Sequence, residues 1–198
     1  MNDAPPQAPL VAPPLTRMAF WYLRHGETAW NALNLSQGRV DNPLNEAGIA
    51  QAWSAAALLR NRGIASIVSS PMTRARVTAE IVGETLGLPV QFEPDLQEVS
   101  FGVQEGQPMS EWFTEWVADQ FTPQGGESFG ALRFRAATAA NRALTRDPVV
   151  LIVAHGALFR ALRAEMGLTS SVRTANAQPL FCEPPPDGDG PWTLTPAT

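Results

Sequence analysis

The chain reads as an α/β protein, a three-layer α/β/α sandwich with a mostly parallel central sheet. Short apolar runs alternate along it with stretches whose apolar residues recur at helical spacing, the pattern of strand–helix–strand units. The two most apolar runs, "MAFWYL" (18–23) and "VVLIVA" (149–154), are unbroken, as strands buried on both faces are. At 198 residues and 44% hydrophobic, the chain can bury one sizeable core, so a single domain over 18–198 is expected.

Taken in order, "MAFWYL" is the first strand. A loop containing "QGRVDNPLN" follows, and a helix opens at Asn45 as N-cap and runs to Gly63 as its C-terminal stop. "IASIVSS" (64–70) is the second strand. Pro71 starts the next helix, "MTRARVTAEIVGETL", which ends near Gly87. "PVQFE" (89–93) is the third strand and "VVLIVA" the fourth. Between them, "MSEWFTEWVADQF" spaces Trp112, Phe113, Trp116 and Val117 as a helical packing face, with a lid beside a cleft as the second reading. Helices are expected from about Ser128 to Thr145 and from Ala157 to Met166. "PLFCE" and "WTLT" then form a terminal hairpin around "DGDG".

Both ends are rich in proline. Residues 1–17, with Pro5, Pro6, Pro9, Pro13 and Pro14, read as a flexible extension, and a proline-rich tail is expected from about 183. No apolar run has the length of a membrane span, and a cytoplasmic location is the expectation. The net charge of -5 argues against non-specific binding to nucleic acid or to an acidic membrane. Every positive side chain is arginine, so an anion site here must use guanidinium, imidazole and backbone N–H groups. Cys182 is the only cysteine, which excludes an intrachain disulfide and a cysteine metal cluster. The oligomeric state is not encoded in any of these features.

In open α/β sheets, ligands bind beyond the carboxyl ends of the strands. Arg24 and His25 follow the first strand, Arg74 the second, Glu98 the third, and His155 the fourth. Singly, each is an ordinary residue: a structural histidine, a surface arginine, a turn glycine. Together they suit phosphoryl transfer. Guanidinium forks bind a phosphate dianion, a neutral imidazole attacks phosphorus, and a carboxyl group moves the proton of the leaving oxygen and of the attacking water. Both histidines of the chain stand at strand ends, and each is followed by glycine.

"LRHGETAWN" resembles the signature of the histidine phosphatase superfamily, the phosphoglycerate mutase-like fold. "SQGRVDNPLNEAG", "SSPMTRARVTAEIV", "LQEVSFGVQEG" and "VAHGALFRALRAEMG" resemble its further segments, in the right order over roughly 18–183. The resemblance implies His25 as nucleophile and Glu98 as proton donor. It implies Arg24, Arg74 and His155 as ligands of the transferred phosphoryl group, with Asn31, Gln37, Gly38, Gly156 and Ala157 beside the phosphate. Glu27 is read as a structural partner and Glu105 as a weaker acid candidate. Glu127 is either a helix cap or a border of the pocket. The reaction implied needs no metal and no cofactor, and its partner is a small phosphomonoester.

The phosphatase branch is favoured over the mutases by Gln37 before Gly38, Phe101 in place of a tyrosine, the absence of lysine, Ala157 in place of an asparagine, and a span from Glu98 to His155 too short for the mutase insertion. Mutase-type transfer remains the alternative, followed by a protein phosphatase and a non-catalytic phospholigand module. Gln104 departs from the tryptophan common in the family, which implies looser packing behind Glu98.

Overall fold

The computed structural model describes residues 10–198. Six strands form one sheet: β1 (Phe20–Arg24), β2 (Ser66–Ser69), β3 (Val90–Phe92), β4 (Val150–Ala154), β5 (Pro179–Glu183) and β6 (Thr193–Pro196). Their order is β3-β2-β4-β1-β5-β6. The first four are parallel, while β5 runs antiparallel to β1 and β6 antiparallel to β5. The expected sandwich is the observed one, closed at one edge by the expected hairpin.

The unbroken apolar strands are explained by their two covered faces. Phe20 and Tyr22 of β1 pack with Val150, Ile152 and Ala154 of β4 in one core; Trp21 and Leu23 pack with Leu151 and Val153 in the other. Successive side chains of a strand point to opposite faces, so both halves of the run must be apolar. Helices α5 (Phe129–Ala143) and α6 (Gly156–Glu165) cover the first face, and α2 (Glu46–Leu59) and α3 (Thr73–Leu86) the second. Alanines at 52, 55, 56, 136, 137, 139, 140 and 143 are buried, which lets the helix backbones lie close to the sheet.

Some helix signals held and two did not: α2 ends at Leu59 with Arg60 as its C-cap, short of the expected Gly63, and α3 starts at Thr73 behind Met72 and not at Pro71. Asn45 caps α2 by accepting from the Gly48 N–H at 2.7 Å, Ser128 caps α5, and α3 ends on Gly87 at φ 68°. The aromatic helix is shorter than expected: α4 spans Glu111–Val117, and Asp119 takes φ 57° just beyond it. One α-helix and two short 3-10 turns, Pro94–Leu96 and Gly102–Gln104, have no counterpart in the sequence reading. Residues Ala29–Ala32 form a single turn, α1, capped reciprocally by Thr28 and Asn31.

The proline-rich ends are tied to the domain where they are described. Residues 1–9 of the expected extension lie outside the described residues. Leu15 is buried in the first core, and Thr16 N–H and the Pro14 carbonyl both bond the Asn141 side chain. At the other end Trp192 packs edge-on against Phe20 at 5.9 Å. Among the described residues no helix is long and apolar enough to cross a membrane.

Candidate active site

Three strand ends lie side by side in the order β2, β4, β1, and each presents one polar residue. The Ser70 N–H donates to the Val153 carbonyl and the His25 N–H to the Ala154 carbonyl, so Ser70 and His25 extend the ladder one residue past their strands. His155 follows β4 and is the N-cap residue of α6. The two imidazoles meet with centroids 5.4 Å apart. A cavity of about 260 Å³ opens here. Arg24, His25, Asn31, Gln37, Gly38, Arg74, Glu98, Gly156 and Ala157 all line it, and His155 does not: it is fully buried beside His25.

The chemistry of His25 is fixed by its hydrogen bond. Its Nδ1 lies 2.7 Å from the Gly26 carbonyl, which only accepts, so Nδ1 carries the proton and Nε2 keeps its lone pair. Burial, then the charges of Arg74 and Arg24, push its pKa well below 6.5, so the ring is neutral at pH 7. His155 is lowered likewise, first by burial and then by Arg74, His25 and Arg24.

The tautomer of His155 follows from Ser70. The Ser70 Oγ accepts from the Met72 N–H at 3.3 Å and stands 2.8 Å from His155 Nε2. With one lone pair taken by Met72, a hydroxyl proton given to Nε2 completes the Ser70 bonds and puts the proton of His155 on Nδ1, a buried nitrogen with no partner among the described residues. We expect ring ¹⁵N shifts to report Nδ1–H for both histidines, the only two in the chain, and Ser70→Ala to convert His155 alone to a tautomer mixture. An Nε2–H signal for wild-type His155 would refute this. The loss of one hydrogen bond should lower kcat/KM about three- to tenfold.

The two arginines are anchored through terminal nitrogens and leave Nε unpartnered. Arg74 is 1% exposed and donates from Nη1 to the Val40 carbonyl and from Nη2 to the Gly38 carbonyl, both at 2.8 Å. Arg24 donates from Nη1 to the Thr174 carbonyl at 2.6 Å. In both, Nε is buried without a partner among the described residues. Burial pulls Arg24 down to about 10, opposed by Glu98 and helped by Arg173.

Glycine after each histidine has a packing reason. A Cβ on Gly26 would sit 2.3 Å from the Gly48 carbonyl oxygen, and one on Gly156 would sit 3.2 Å from Arg24 Nε. The loop of β1 thus abuts α2, and the guanidinium of Arg24 lies against the start of α6.

Glu98 is placed by a neighbouring helix end. Its Oε2 accepts from the Ala157 N–H and its Oε1 from the Leu158 N–H, both at 2.9 Å, so it caps α6 while lining the cavity. Ala157 borders the cavity with its surface, its N–H being taken by Glu98. Likewise the first turn of α3 is filled from within, since Asp41 accepts from Thr73 N–H and Oγ1. The remaining polar groups offer donors. Asn31 Oδ1 accepts from Thr28 N–H and Asn176 Nδ2, and Gln37 Oε1 accepts from Thr28 Oγ1 at 2.9 Å, which turns each amide's NH₂ free of these contacts.

The other acids are structural. Glu27 accepts from Asn45 Nδ2 at 2.8 Å. Glu105 accepts from the Arg39 and Phe101 N–H groups and fills the space that a side chain on Gly38 would need. Glu127 neither caps α5 nor lines the pocket: it takes a two-pronged bond from Arg135, whose Nη1 also reaches the Asp95 and Gln97 carbonyls at 2.7 Å. Arg135, unremarked in the sequence, thereby fixes the chain that delivers Glu98. Ser36 Oγ bonds the Gln104 carbonyl, so the Gln104 turn is tied by its backbone. The aromatic helix is a packing face with one residue at the cavity. Trp112 and Trp116 are buried, and Phe113 with Met109 walls the cavity. Among the described residues no group of three or more His, Cys, Asp or Glu is arranged to hold a metal ion.

Fold and site together define an α/β protein with an arginine-lined cavity at its strand ends, one neutral imidazole in the wall and a second buried beside it. The chain belongs to the histidine phosphatase superfamily, branch 1, whose family model matches residues 20–175. It is 36% identical over 160 residues to a probable phosphoglycerate mutase GpmB of Yersinia pestis (strain Pestoides F), covering 75% of this chain and 74% of that protein. Among solved structures it is similar to a mycobacterial glucosyl-3-phosphoglycerate phosphatase complexed with VO3, with a TM-score of 0.77 and 29% identity, over 89% of this chain and 96% of that one. A second solved structure, TTHB049 from Thermus thermophilus, superposes with a TM-score of 0.73 at 28% identity, over 91% and 100%.

Proposed function

We propose that this protein is a metal-independent phosphomonoester hydrolase that works through a phosphohistidine on a small phosphorylated metabolite. The observation that carries the reading is the His25 ring, neutral, with Nδ1 committed to Gly26 and Nε2 unprotonated in a cavity lined by Arg24 and Arg74. Nε2 attacks phosphorus as the ester P–O bond breaks, and Glu98 protonates the departing oxygen. Water, losing its proton to Glu98, then cleaves the P–N bond and frees inorganic phosphate. The guanidinium groups of Arg24 and Arg74, which line the cavity with Nε unpartnered, hold the phosphoryl oxygens.

The mutase reading draws on the Yersinia relative's name, and hydrolysis on the mycobacterial neighbour's. The chain's own residues favour hydrolysis, since it offers no lysine and carries Ala157 after the second His-Gly pair. The cavity, walled by Phe113 and Met109, suits a small molecule rather than a protein surface.

The deciding experiment is phosphate release from p-nitrophenyl phosphate in EDTA, run beside interconversion of 2- and 3-phosphoglycerate. Release without interconversion is expected, and the reverse would establish the mutase. In the same assay Glu98→Gln should slow an alkyl phosphate about tenfold more than p-nitrophenyl phosphate, because only the poor leaving group needs the proton. Equal losses would make Glu98 a structural cap alone.

A further inference from the structure

The tautomer of His25 rests on one peptide unit, and that unit is held by a side chain that does not line the cavity. The carbonyl that takes the Nδ1 proton belongs to the peptide joining Gly26 to Glu27. A trans peptide is planar, with its N–H and C=O pointing in opposite directions, so whatever fixes one end aims the other. The N–H of this unit is that of Glu27, and it donates to Gln51 Oε1 at 2.9 Å. A half-buried side chain of α2 and the buried imidazole thus face each other across a single peptide plane.

Gly26 has no side chain to restrain rotation about its own bonds, and a Cβ there would collide with the Gly48 carbonyl. The restraint comes instead from α2. From the N-cap onward, Asn45, Gly48 and Gln51 follow at three-residue spacing and meet this loop along one helix face. Gly48 admits the Glu27 backbone, which a Cβ at that position would strike. The Asn45 N–H donates to the Glu27 carbonyl at 3.0 Å, and Asn45 Nδ2 donates to its carboxylate. If the Gly26–Glu27 unit turned over, its N–H and not its carbonyl would face Nδ1. The ring would then carry its proton on Nε2, and the nitrogen directed at phosphorus would have no lone pair.

We propose that Gln51 is a positioning residue: by holding the Gly26–Glu27 peptide it keeps the proton of His25 on Nδ1 and the lone pair on Nε2. Its effect on turnover rests on the phosphohistidine reading given above, while its effect on the ring does not. Gln51 also borders an open hollow with Arg173, Ala175 and Asn176. Water entering there can bond the Glu27 N–H once the amide is gone, but a mobile water does not fix its direction. Removal of the amide therefore mixes the two tautomers and does not invert them.

Two variants separate the acceptor from the packing: Gln51→Leu removes the oxygen and keeps the bulk, and Gln51→Glu keeps the oxygen. The ¹⁵N shifts of the His25 ring should show Nδ1–H in the wild type and in Gln51→Glu, and a mixture of both forms in Gln51→Leu. In single turnovers of p-nitrophenyl phosphate, Gln51→Leu should release p-nitrophenolate about three- to tenfold more slowly, the scale of one lost hydrogen bond. Gln51→Glu should recover most of that rate, and the affinity for inorganic phosphate should not change, since the arginines are untouched. A Gln51→Leu ring that stays wholly Nδ1–H overturns the proposal, whatever its activity. Thr78→Val is the control, because Thr78 Oγ1 accepts from the Gly26 N–H at 3.1 Å and so holds only the preceding peptide. An equal mixture in that variant would make general loosening of the loop the cause and would overturn the proposal too. The ring test also stands apart from the hydrolase reading. A wild type that releases no p-nitrophenolate, or a Gln51→Leu mixture with no loss of rate, removes attack by Nε2 and leaves Gln51 as the residue that sets the tautomer.

Discussion

His25→Ala abolishes turnover: kcat/KM falls by about four orders of magnitude or more, as expected when a covalent nucleophile is removed. The fold survives the change, because among the described residues the imidazole bonds only the adjacent Gly26 carbonyl and leaves no distant partner unpaired. A circular dichroism spectrum like the wild type's therefore accompanies the loss. Rapid quench of the wild-type reaction with labelled substrate should trap phosphate on Nε2 of His25, since Nδ1 is committed to Gly26. Label on Nδ1, or on His155, would overturn the assignment. The pH dependence carries a second reading of the same group. Burial and two arginines hold the ring's pKa well below 6.5, so the ring signals of His25 should show no titration near that value, and protonation should begin only at lower pH. In an unfolded chain the ring takes its proton near 6.5. The unfolded state then binds more protons than the folded one below that pH, and this residue's contribution to stability declines as pH falls through 6.5.

The parts of this site visible in the sequence are those set by chain position. Arg24, His25 and His155 are legible because a buried apolar strand announces its own end, and in a parallel sheet all such ends share an edge. Glu98 is legible by the resemblance and not by spacing, since it lies beyond β3 after a short irregular stretch and reaches the cavity only because Arg135 grips that stretch from α5. Ser70 is invisible as a partner of His155, because nothing local distinguishes it from Ser69 next to it. The 173–176 segment is invisible for a different reason. It folds back so that the Thr174 carbonyl accepts from Arg24 and Asn176 Nδ2 donates to the His25 carbonyl, contacts made across about 150 residues of chain. The role of Phe113 is half legible. Helical spacing puts Trp112 and Trp116 on one buried face, and the residue between them turns to the side that the cavity happens to occupy.

Arg74→Ala should lower kcat/KM by about 10²–10³, the range for losing one donor to transition-state charge. Arg74→Lys should fall nearly as far, and the geometry says why. The guanidinium spans two carbonyls, those of Gly38 and Val40, while keeping Nε for the cavity. An ammonium on an unbranched stem is a single point of donation and cannot serve three directions at that depth. Removing the side chain also strips a donor from the 38–40 turn, so a loosened loop and a lost phosphoryl contact must be told apart. Vanadate separates the two causes. With three equatorial oxygens and two apical positions, one of them facing His25 Nε2, it imitates the transition state, whereas inorganic phosphate imitates the product. If Arg74 Nε meets an equatorial oxygen, the affinity for vanadate drops more than the affinity for phosphate, and kcat falls more than KM rises. If Arg74 only props the turn, both anions weaken alike and KM alone rises, which would return the arginine to the scaffold and leave Arg24 as the guanidinium that stabilises the reacting phosphorus.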